Sequence, residues 1–164
     1  MKKRTMFARL GAVMAAVALM FGISVGSAQA TVYGVHIQHS VSGKCLDSNQ
    51  YGQVYFNPCQ HGNGYQTWTV WQGSNGEDQI QNAQTNLCLA TGNQNGNITI
   101  QTWTCNTAYH NEYWHMQSGN FGDTFLNDLQ SPIHCLDGNG SSVYATYGWC
   151  NPANQYQNWY LTYP

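Results

Sequence analysis

Cysteine, carboxylate, amide and aromatic residues recur in this sequence at nearly fixed spacings, and these are the residues that could do chemistry. Three times a Cys-Leu pair is followed by a second cysteine, 14, 17 and 15 residues after the first. A Gln-x-Trp or Glu-x-Trp motif begins seven residues later, at Gln66, Glu112 and Gln157. Thiols can pair, carboxylates and amides can hydrogen-bond, and aromatic faces can pack on a ligand. The recurring set indicates a cross-linked fold that carries polar and aromatic contact groups.

The six cysteines predict disulfides. All of them lie after residue 30, and the first 30 residues have the pattern of an export signal, as described below. An even number of cysteines in an exported chain implies a disulfide framework. Six cysteines allow fifteen pairings. The repeated spacing favours the pairing in which the two cysteines of each repeated segment form a disulfide with each other. That local pairing is Cys45–Cys59, Cys88–Cys105 and Cys135–Cys150. No metal site is predicted, because Cys-x2-Cys and His-x3-His spacings are missing from the sequence, and no cofactor is predicted.

The carboxylates do not form a recognisable catalytic set. Glycoside hydrolysis needs two facing carboxylates. Of the seven acids, Asp47, Glu112 and Asp137 occupy repeat positions and the other four fall near repeat boundaries. The sequence contains no Gly-x-Ser-x-Gly, His-Glu-x-x-His or P-loop pattern, and a disulfide framework leaves no thiol nucleophile. We therefore expect a binding protein and not an enzyme.

The first 30 residues have the pattern of a secretory signal peptide. Four basic residues lie within the first nine positions, and an apolar run follows from Leu10 to about Val25. The small residues Ala28 and Ala30 then form a cleavage signature. The apolar run is shorter than the ~20 residues of a membrane-spanning helix. We expect residues 1–30 to be removed after Ala30, a secreted (extracellular) domain of residues 31–164, and no membrane insertion.

Residues 31–164 contain almost no basic groups. Lys44 is their only lysine or arginine, and one basic residue against seven acids gives a formal charge of −6. Phosphate binding relies on Lys and Arg, so we expect no nucleic-acid partner and no attraction to an anionic membrane. The remaining composition is rich in Asn, Gln, Gly, Thr, Tyr and Trp. Such a composition suits uncharged, hydroxyl-rich ligands.

An internal repeat is the strongest feature of the sequence. The segments KCLDSN, LCLATG and HCLDGN resemble one another, and the tryptophans of the three Gln/Glu-x-Trp motifs lie 46 and 45 residues apart. Three copies of about 45 residues fill residues 31–164. We call them copy 1 (about 31–76), copy 2 (about 77–122) and copy 3 (about 123–164).

Each copy has the pattern of strands. Runs such as TWTVW at 67–71 and ITIQTW at 98–103 are alternating or rich in β-branched residues, and Asn-Gly turns separate the runs. About four short strands per copy predict an all-β fold of twelve short strands, a β-trefoil. Trp68, Trp114 and Trp159 are then core residues. We expect Gln66 and Gln157 to satisfy backbone groups beside that core.

The three Cys-Leu-Asp-like starts, second cysteines and Gln-x-Trp-like ends together resemble the ricin-type lectin family, also called the ricin B-like β-trefoil domain. The resemblance covers Val32 to about Tyr163. It implies a secreted or surface carbohydrate-binding module with one shallow sugar site per copy. In that family the Asp of Cys-Leu-Asp binds sugar hydroxyls, and an aromatic residue two positions before the second cysteine stacks on the sugar. An Asn before Gln-x-Trp and a Gln earlier in the strand add hydrogen bonds.

Mapped onto this sequence, the family's site is incomplete in every copy. Copy 3 is the preferred candidate: it keeps Asp137, while Gly148 falls at the stacking position between Tyr147 and Trp149. An aromatic residue on either side of the glycine could replace the missing platform.

Copy 1 ranks second and copy 2 last. Copy 1 keeps Asp47, with Tyr55 as the nearest aromatic. Copy 2 keeps Gln101, Trp103 and Asn111, but Ala90 and Glu112 replace the family's Asp and Gln.

Two alternatives stand beside these interpretations. Asp47 and Asp137 could cap Asx-turns in DSN and DGN instead of binding sugar. The predicted function is a secreted lectin-like module whose partner is a glycan or polysaccharide. The alternative is a secreted β-trefoil that binds a secreted or surface protein, as a protease inhibitor or toxin-like domain, because fold alone does not decide function.

Overall fold

The structure is a computed structural model that describes residues 31–73, 76–94, 97–108, 110–120, 122–127, 133–148 and 150–164. Twelve antiparallel strands are described in these ranges. They are β1 (Thr31–His39), β2 (Cys45–Ser48), β3 (Val54–Asn57), β4 (Trp68–Trp71), β5 (Asp78–Asn82), β6 (Leu87–Gln94), β7 (Asn97–Thr104), β8 (Tyr113–Ser118), β9 (Asp123–Asn127), β10 (His134–Gly138), β11 (Val143–Tyr147) and β12 (Asn158–Thr162).

Six of these strands form a closed ring. Strand β1 pairs with β4, β4 with β5, β5 with β8, β8 with β9, β9 with β12, and β12 returns to β1. Each copy contributes two neighbouring members of the ring. Closure of a sheet into a barrel leaves no free strand edge for other chains to pair with.

The other six strands form one hairpin per copy: β2–β3, β6–β7 and β10–β11. Each hairpin joins the barrel at its first cysteine, through the pairs Gln38 with Cys45, Gln81 with Cys88 and Leu126 with Cys135. A six-stranded barrel with three equivalent hairpins is the arrangement of a β-trefoil, so the predicted fold class is confirmed.

The three Gln/Glu-x-Trp tryptophans are fully buried in the common core, as predicted. Each indole N–H donates to the backbone carbonyl of the leucine in the Cys-Leu pair of its own copy. The three bonds are Trp68–Leu46 at 3.0 Å, Trp114–Leu89 at 2.8 Å and Trp159–Leu136 at 3.2 Å. The repeated Cys-Leu and Trp are therefore two ends of one contact, which positions each hairpin over the barrel.

Three disulfides link the cysteines in the local pattern: Cys45–Cys59, Cys88–Cys105 and Cys135–Cys150. Each one joins the first strand of a hairpin to the loop that follows its second strand. The cross-link and the indole bond therefore hold the same hairpin from two sides.

The sequence predicts that the last strand of each copy begins with the Gln/Glu-x-Trp motif, near 66–71, 112–117 and 157–162, and the structure differs there. The motif residues Gln66, Glu112 and Gln157 end short 3-10 helices at Gly64–Gln66, His110–Glu112 and Gln155–Gln157, and the strands start after them. The reason is local capping: the side chain of Asn63 accepts a hydrogen bond from Tyr65 N, and Asn154 does the same for Tyr156 N. Among the described residues, no helix is long and apolar enough to cross a membrane.

Candidate functional site

The aspartates of the Cys-Leu-Asp segments are buried and face the glutamines of the Gln-x-Trp motifs. Asp47 is 2% exposed and Asp137 is 3% exposed. Gln66 Nε2 donates to Asp47 Oδ2 at 2.9 Å, and Gln157 Nε2 donates to Asp137 Oδ2 at 2.9 Å. Buried polar groups need such partners, so copies 1 and 3 each contain an internal Asp–Gln pair.

The other end of each glutamine side chain binds the backbone. Gln66 Oε1 accepts from Gln60 N at 2.8 Å, and Gln157 Oε1 accepts from Asn151 N at 2.8 Å. Both amides belong to the residue directly after the second cysteine of the copy. The prediction that these glutamines satisfy backbone groups beside the core is confirmed.

Further polar side chains fill the space beside the buried aspartates. Asn57 Nδ2 donates to Asp47 Oδ2 at 2.9 Å, and Thr146 Oγ1 lies 3.5 Å from Asp137 Oδ2. The phenol of Tyr144 also lies near Asp137: burial, followed by the charge of this carboxylate and a hydrogen bond to it, raises the pKa of Tyr144. The carboxylates are thus enclosed by groups of their own copy.

Strand register corrects the position assigned to the stacking residue of copy 3. Asn57 pairs with the first cysteine of copy 1, and Trp103 pairs with that of copy 2. In copy 3 the residue opposite the first cysteine is Thr146, not Gly148. Counting back from the second cysteine fails here because three residues separate Thr146 from Cys150, whereas one residue separates Trp103 from Cys105.

The turn-capping alternative for the two aspartates is wrong, because both lie inside strands β2 and β10. The Asx-turns are formed two residues later by asparagines. Asn49 Oδ1 accepts from Tyr51 N at 2.9 Å, and Asn139 Oδ1 accepts from Ser141 N at 2.9 Å. The turn therefore uses the second polar residue of each segment, which leaves the aspartate free to point inward.

Copy 2 rearranges the same internal pair. Ala90 is buried in place of the aspartate, and Glu112 is fully buried in place of the glutamine. Glu112 Oε2 accepts from Asn106 N at 2.7 Å, the bond made by glutamine in the other copies. Its Oε1 is buried and has no hydrogen-bond partner among the described residues. Burial raises the pKa of Glu112, and the bond from Asn106 opposes this effect.

We expect Glu112→Gln to stabilise the protein at neutral pH and to have a smaller effect in acid. A carboxyl whose pKa is raised by folding contributes stability below its unfolded-state pKa, near 4.5, and loses it as the pH rises through the folded-state pKa. The amide has no such charge, and glutamine already holds the equivalent backbone bond in copies 1 and 3. Urea unfolding of parent and variant from acid to neutral pH tests this. A difference in stability that does not change with pH would contradict it.

The other candidate residues of copies 1 and 3 occupy different environments. Tyr55 is half-buried, and its hydroxyl donates to Ser48 O at 3.2 Å. Burial, followed by the charge of Asp47, raises the pKa of Tyr55. Tyr147 is exposed, with its ring edge-on to His134 at 5.0 Å between centroids. Trp149 lies outside the described residues.

Copy 2, ranked last from sequence, brings an exposed aromatic and an amide together. Trp103 on β7 is 44% exposed. Asn111 Nδ2 donates to Thr91 O at 2.7 Å, which ties the loop before Trp114 to β6. Trp103 and Asn111 line a hollow of about 150 Å³. The arrangement offers an apolar face beside a fixed polar group, as sugar recognition requires.

Gln101, the remaining candidate of copy 2, lies beside this hollow and not in its lining. It pairs with Ala90 across the β6–β7 hairpin. The Gln101 amide lies over Gly92, in the space that a Cβ would take there, so this side chain packs against β6. Gln101 therefore supports the hairpin on which Trp103 is presented.

His134 also lines the hollow, and sequence reasoning did not identify it. It belongs to copy 3, and both ring nitrogens are buried without a hydrogen-bond partner among the described residues. Burial lowers its pKa, which favours the neutral imidazole. A neutral ring can both donate and accept. No spacing in the sequence relates His134 to Trp103, because the two meet only through the packing of neighbouring copies.

The described residues contain one group with potential metal ligands: His36, Cys45 and Cys59. Both sulfurs are joined in a disulfide. They offer no thiolate, which is the form of cysteine that binds metals.

Comparison with known proteins agrees with the fold. Residues 32–159 match the family model described as the ricin-type beta-trefoil lectin domain. The structure is similar to a Macrolepiota procera ricin B-like lectin solved with lactose, with a TM-score of 0.61 and 15% identity over 85% of this chain and 99% of that one. It is also similar to the Rhizoctonia solani agglutinin, with a TM-score of 0.63 and 16% identity over the same shares. Among curated proteins no match was found. At these identities the solved structures show a common fold.

Proposed function

The chain belongs to the family of ricin-type β-trefoil lectin domains, and on that premise we propose that it is a secreted carbohydrate-binding module without catalytic activity. The observation that carries the proposal is the copy 2 site, where Trp103 presents a half-exposed face beside Asn111 and His134. The lactose complex of the similar Macrolepiota procera lectin supports a glycan as the partner.

Each residue of the proposed site has a defined role in sugar binding. The face of Trp103 packs against the C–H face of a sugar ring, and the burial of this apolar area contributes favourable binding free energy. Asn111 is held by Thr91 O, so its position is fixed before a ligand arrives. The imidazole of His134 lines the hollow as a neutral ring whose two nitrogens are buried and have no hydrogen-bond partner among the described residues. With Ala90 in place of the aspartate, hydroxyl recognition in this copy relies on amide, imidazole and backbone groups.

Copies 1 and 3 are proposed as secondary sites. The glutamines of their own copies already bond to Oδ2 of Asp47 and Asp137, and both carboxylates are buried, so a sugar would have to reach a covered oxygen or share Oδ2. The exposed ring of Tyr147 keeps copy 3 as the better of the two. Tyr55 is held inside copy 1 by its bond to Ser48 O.

Export and domain organisation complete the proposal. Residues 1–30 are proposed to be a signal peptide and residues 31–164 the lectin domain of three copies. N-terminal sequencing of the exported protein tests this, since a chain that begins at Met1 would contradict it. The family relationship and the scattered acidic residues support binding without catalysis.

We expect Trp103→Ala to lower the affinity for glycans at least tenfold. Loss of the indole removes about 1.5–3 kcal/mol of apolar contact, and each 1.4 kcal/mol is tenfold in the dissociation constant. The measurement is a glycan array followed by titration of the strongest neutral glycan. The matched control is Trp71→Ala, because Trp71 is 43% exposed and lies on barrel strand β4, away from the site.

Two outcomes count against the proposed function. If the parent protein binds no glycan on the array, the protein-binding alternative replaces it. If Trp103→Ala binds as well as the parent and folds normally by circular dichroism, sugar recognition lies in another copy.

A further inference from the structure

A second and larger groove lies beside Trp103, between copy 1 and copy 2. Its volume is about 700 Å³, within the range of sites that enclose a ligand. One wall is the turn between β2 and β3, with Gln50 and Tyr51, and the other is the end of β7 and the loop after it, with Trp103 and Asn106. Trp103 and Asn111 line both this groove and the small hollow of copy 2, so the two spaces lie side by side.

The turn that carries Tyr51 is fixed against copy 2 by backbone contacts. Thr102 N donates to Gly52 O at 2.8 Å. Gly52 has a positive φ of 82°, and a Cβ there would lie 2.6 Å from Thr102 O, so only glycine fits. Asn49 Oδ1 accepts from the backbone N of both Tyr51 and Gln53. The turn is therefore held in one conformation beside Trp103 before any ligand binds.

The tyrosine at the tip of this turn is presented to solvent. Tyr51 is 80% exposed, although aromatic side chains usually gain from burial. The equivalent turn of copy 3, Asn139–Ser142, contains only Asn, Gly and Ser. The exposed aromatic is thus a feature of this junction and not of the repeat, which indicates that it does not serve the fold.

The chemistry of the lining restricts the occupant. The groove has two exposed aromatic rings, Tyr51 and Trp103, and the amides of Gln50, Asn106 and Asn111, and none of its lining residues carries a charge. Aromatic faces with neutral amides suit an uncharged ligand with alternating C–H faces and hydroxyls. An anionic or cationic partner would find no counter-charge among the residues that line it.

We propose that the protein binds a neutral oligosaccharide of at least two sugar residues, with one sugar at the small hollow of copy 2 and the next in the inter-copy groove against Tyr51. This inference rests on the proposed function and extends it, because it makes chain length a determinant of affinity. Trp103, which borders both spaces, contacts the chain where it passes from one to the other.

The test uses length ladders, from monosaccharide to tetrasaccharide, of β-linked glucose, galactose and N-acetylglucosamine, titrated by calorimetry against the parent protein and two variants. In at least one ladder we expect the affinity to rise about tenfold between one sugar and two or three, as an added aromatic contact would give. Tyr51→Ala should remove that increase and leave monosaccharide binding unchanged. Tyr163→Ala is the matched control, because Tyr163 is 78% exposed near the chain end and lies outside the groove.

The outcomes separate the two claims. If monosaccharides bind as tightly as longer chains, or Tyr51→Ala keeps the length dependence, the inference is overturned and the proposed function stands. If no member of any ladder binds, the inference is overturned, and the glycan array decides separately on the proposed function. Because Tyr51 is exposed, a change in the thermal melt of Tyr51→Ala is not expected, and the melt verifies that its effect is on binding.

Discussion

Reduction of the three disulfides should unfold the domain at room temperature. The bridges close loops with sequence separations of 14, 17 and 15 residues. In the chain-entropy account each loop of this size contributes about 3 kcal/mol, so the three together contribute about 9 kcal/mol. Domains of this size have a total stability of about 5–15 kcal/mol. Removing the bridges therefore removes most of the difference between the folded and unfolded states.

Tryptophan fluorescence measures this outcome directly, because Trp68, Trp114 and Trp159 are fully buried and become exposed on unfolding. The reduced protein should show a red-shifted emission without urea, whereas the oxidised protein should show a cooperative urea transition. Variants in which one cysteine pair is replaced by alanines serve as the graded control. Each should lose about 3 kcal/mol, and the losses should add because the bridges lie in separate copies. A reduced protein that keeps the folded emission would contradict the prediction.

The fold could be predicted from the sequence because the repeat constrains it at several levels. The spacing of 23 residues from Cys45 to Trp68 in copy 1 recurs as 26 and 24 residues in the other copies, and one copy cannot bury its own apolar face. The structure shows the physical basis of that spacing, since the Cys-Leu carbonyl accepts the indole N–H. Strand ends were less predictable, because capping by Asn63 and Asn154 creates 3-10 turns that hydrophobic alternation does not record.

The candidate site was less predictable, because a motif does not show which way a side chain points. Asp47 and Asp137 match the family's sugar-binding position in sequence, yet both are buried against glutamines. The hollow of copy 2 includes His134 from copy 3, and the larger groove includes Tyr51 from copy 1. Contacts between copies depend on packing about the threefold axis. A ranking of sites by motif therefore places copy 2 last, although its Trp103 is exposed beside a hollow.

The second large effect is expected from Gln66→Leu, which should destabilise the protein by about 3 kcal/mol or more. The leucine removes the donor to Asp47 Oδ2 and the acceptor for Gln60 N. Hydrogen bonds to charged groups contribute about 1.5–3 kcal/mol, and an unsatisfied buried group costs about 1–3 kcal/mol. Asp47 retains the bond from Asn57, which limits the loss. Urea unfolding measures it, with Gln60→Ala as the control, because the Gln60 side chain is exposed and only its backbone makes the bond.

Copy 2 supplies a sharper version of this experiment, because Ala90 and Glu112 occupy the positions of Asp47 and Gln66. Gln66→Glu alone would bring two carboxyls together where Oδ2 and Nε2 are now 2.9 Å apart. Buried like charges at this distance force one carboxyl to remain protonated, so this variant should be strongly destabilised at neutral pH and partly recover in acid. Asp47→Ala alone leaves the Gln66 amide with its bond to Pro58 O. Its cost should be smaller, about 1.5–3 kcal/mol.

The double variant Asp47→Ala with Gln66→Glu recreates in copy 1 the arrangement that copy 2 already contains. It should be more stable than the sum of the two single changes by at least about 1 kcal/mol, within the usual range for residues in direct contact. The reason is that removal of Asp47 leaves the new glutamate as the only carboxyl of the pair, with Gln60 N still available as its donor. Simple addition of the two losses would show that position 47 and position 66 act independently. In that case the exchange of carboxyl and amide between the copies would need an explanation other than the pair itself.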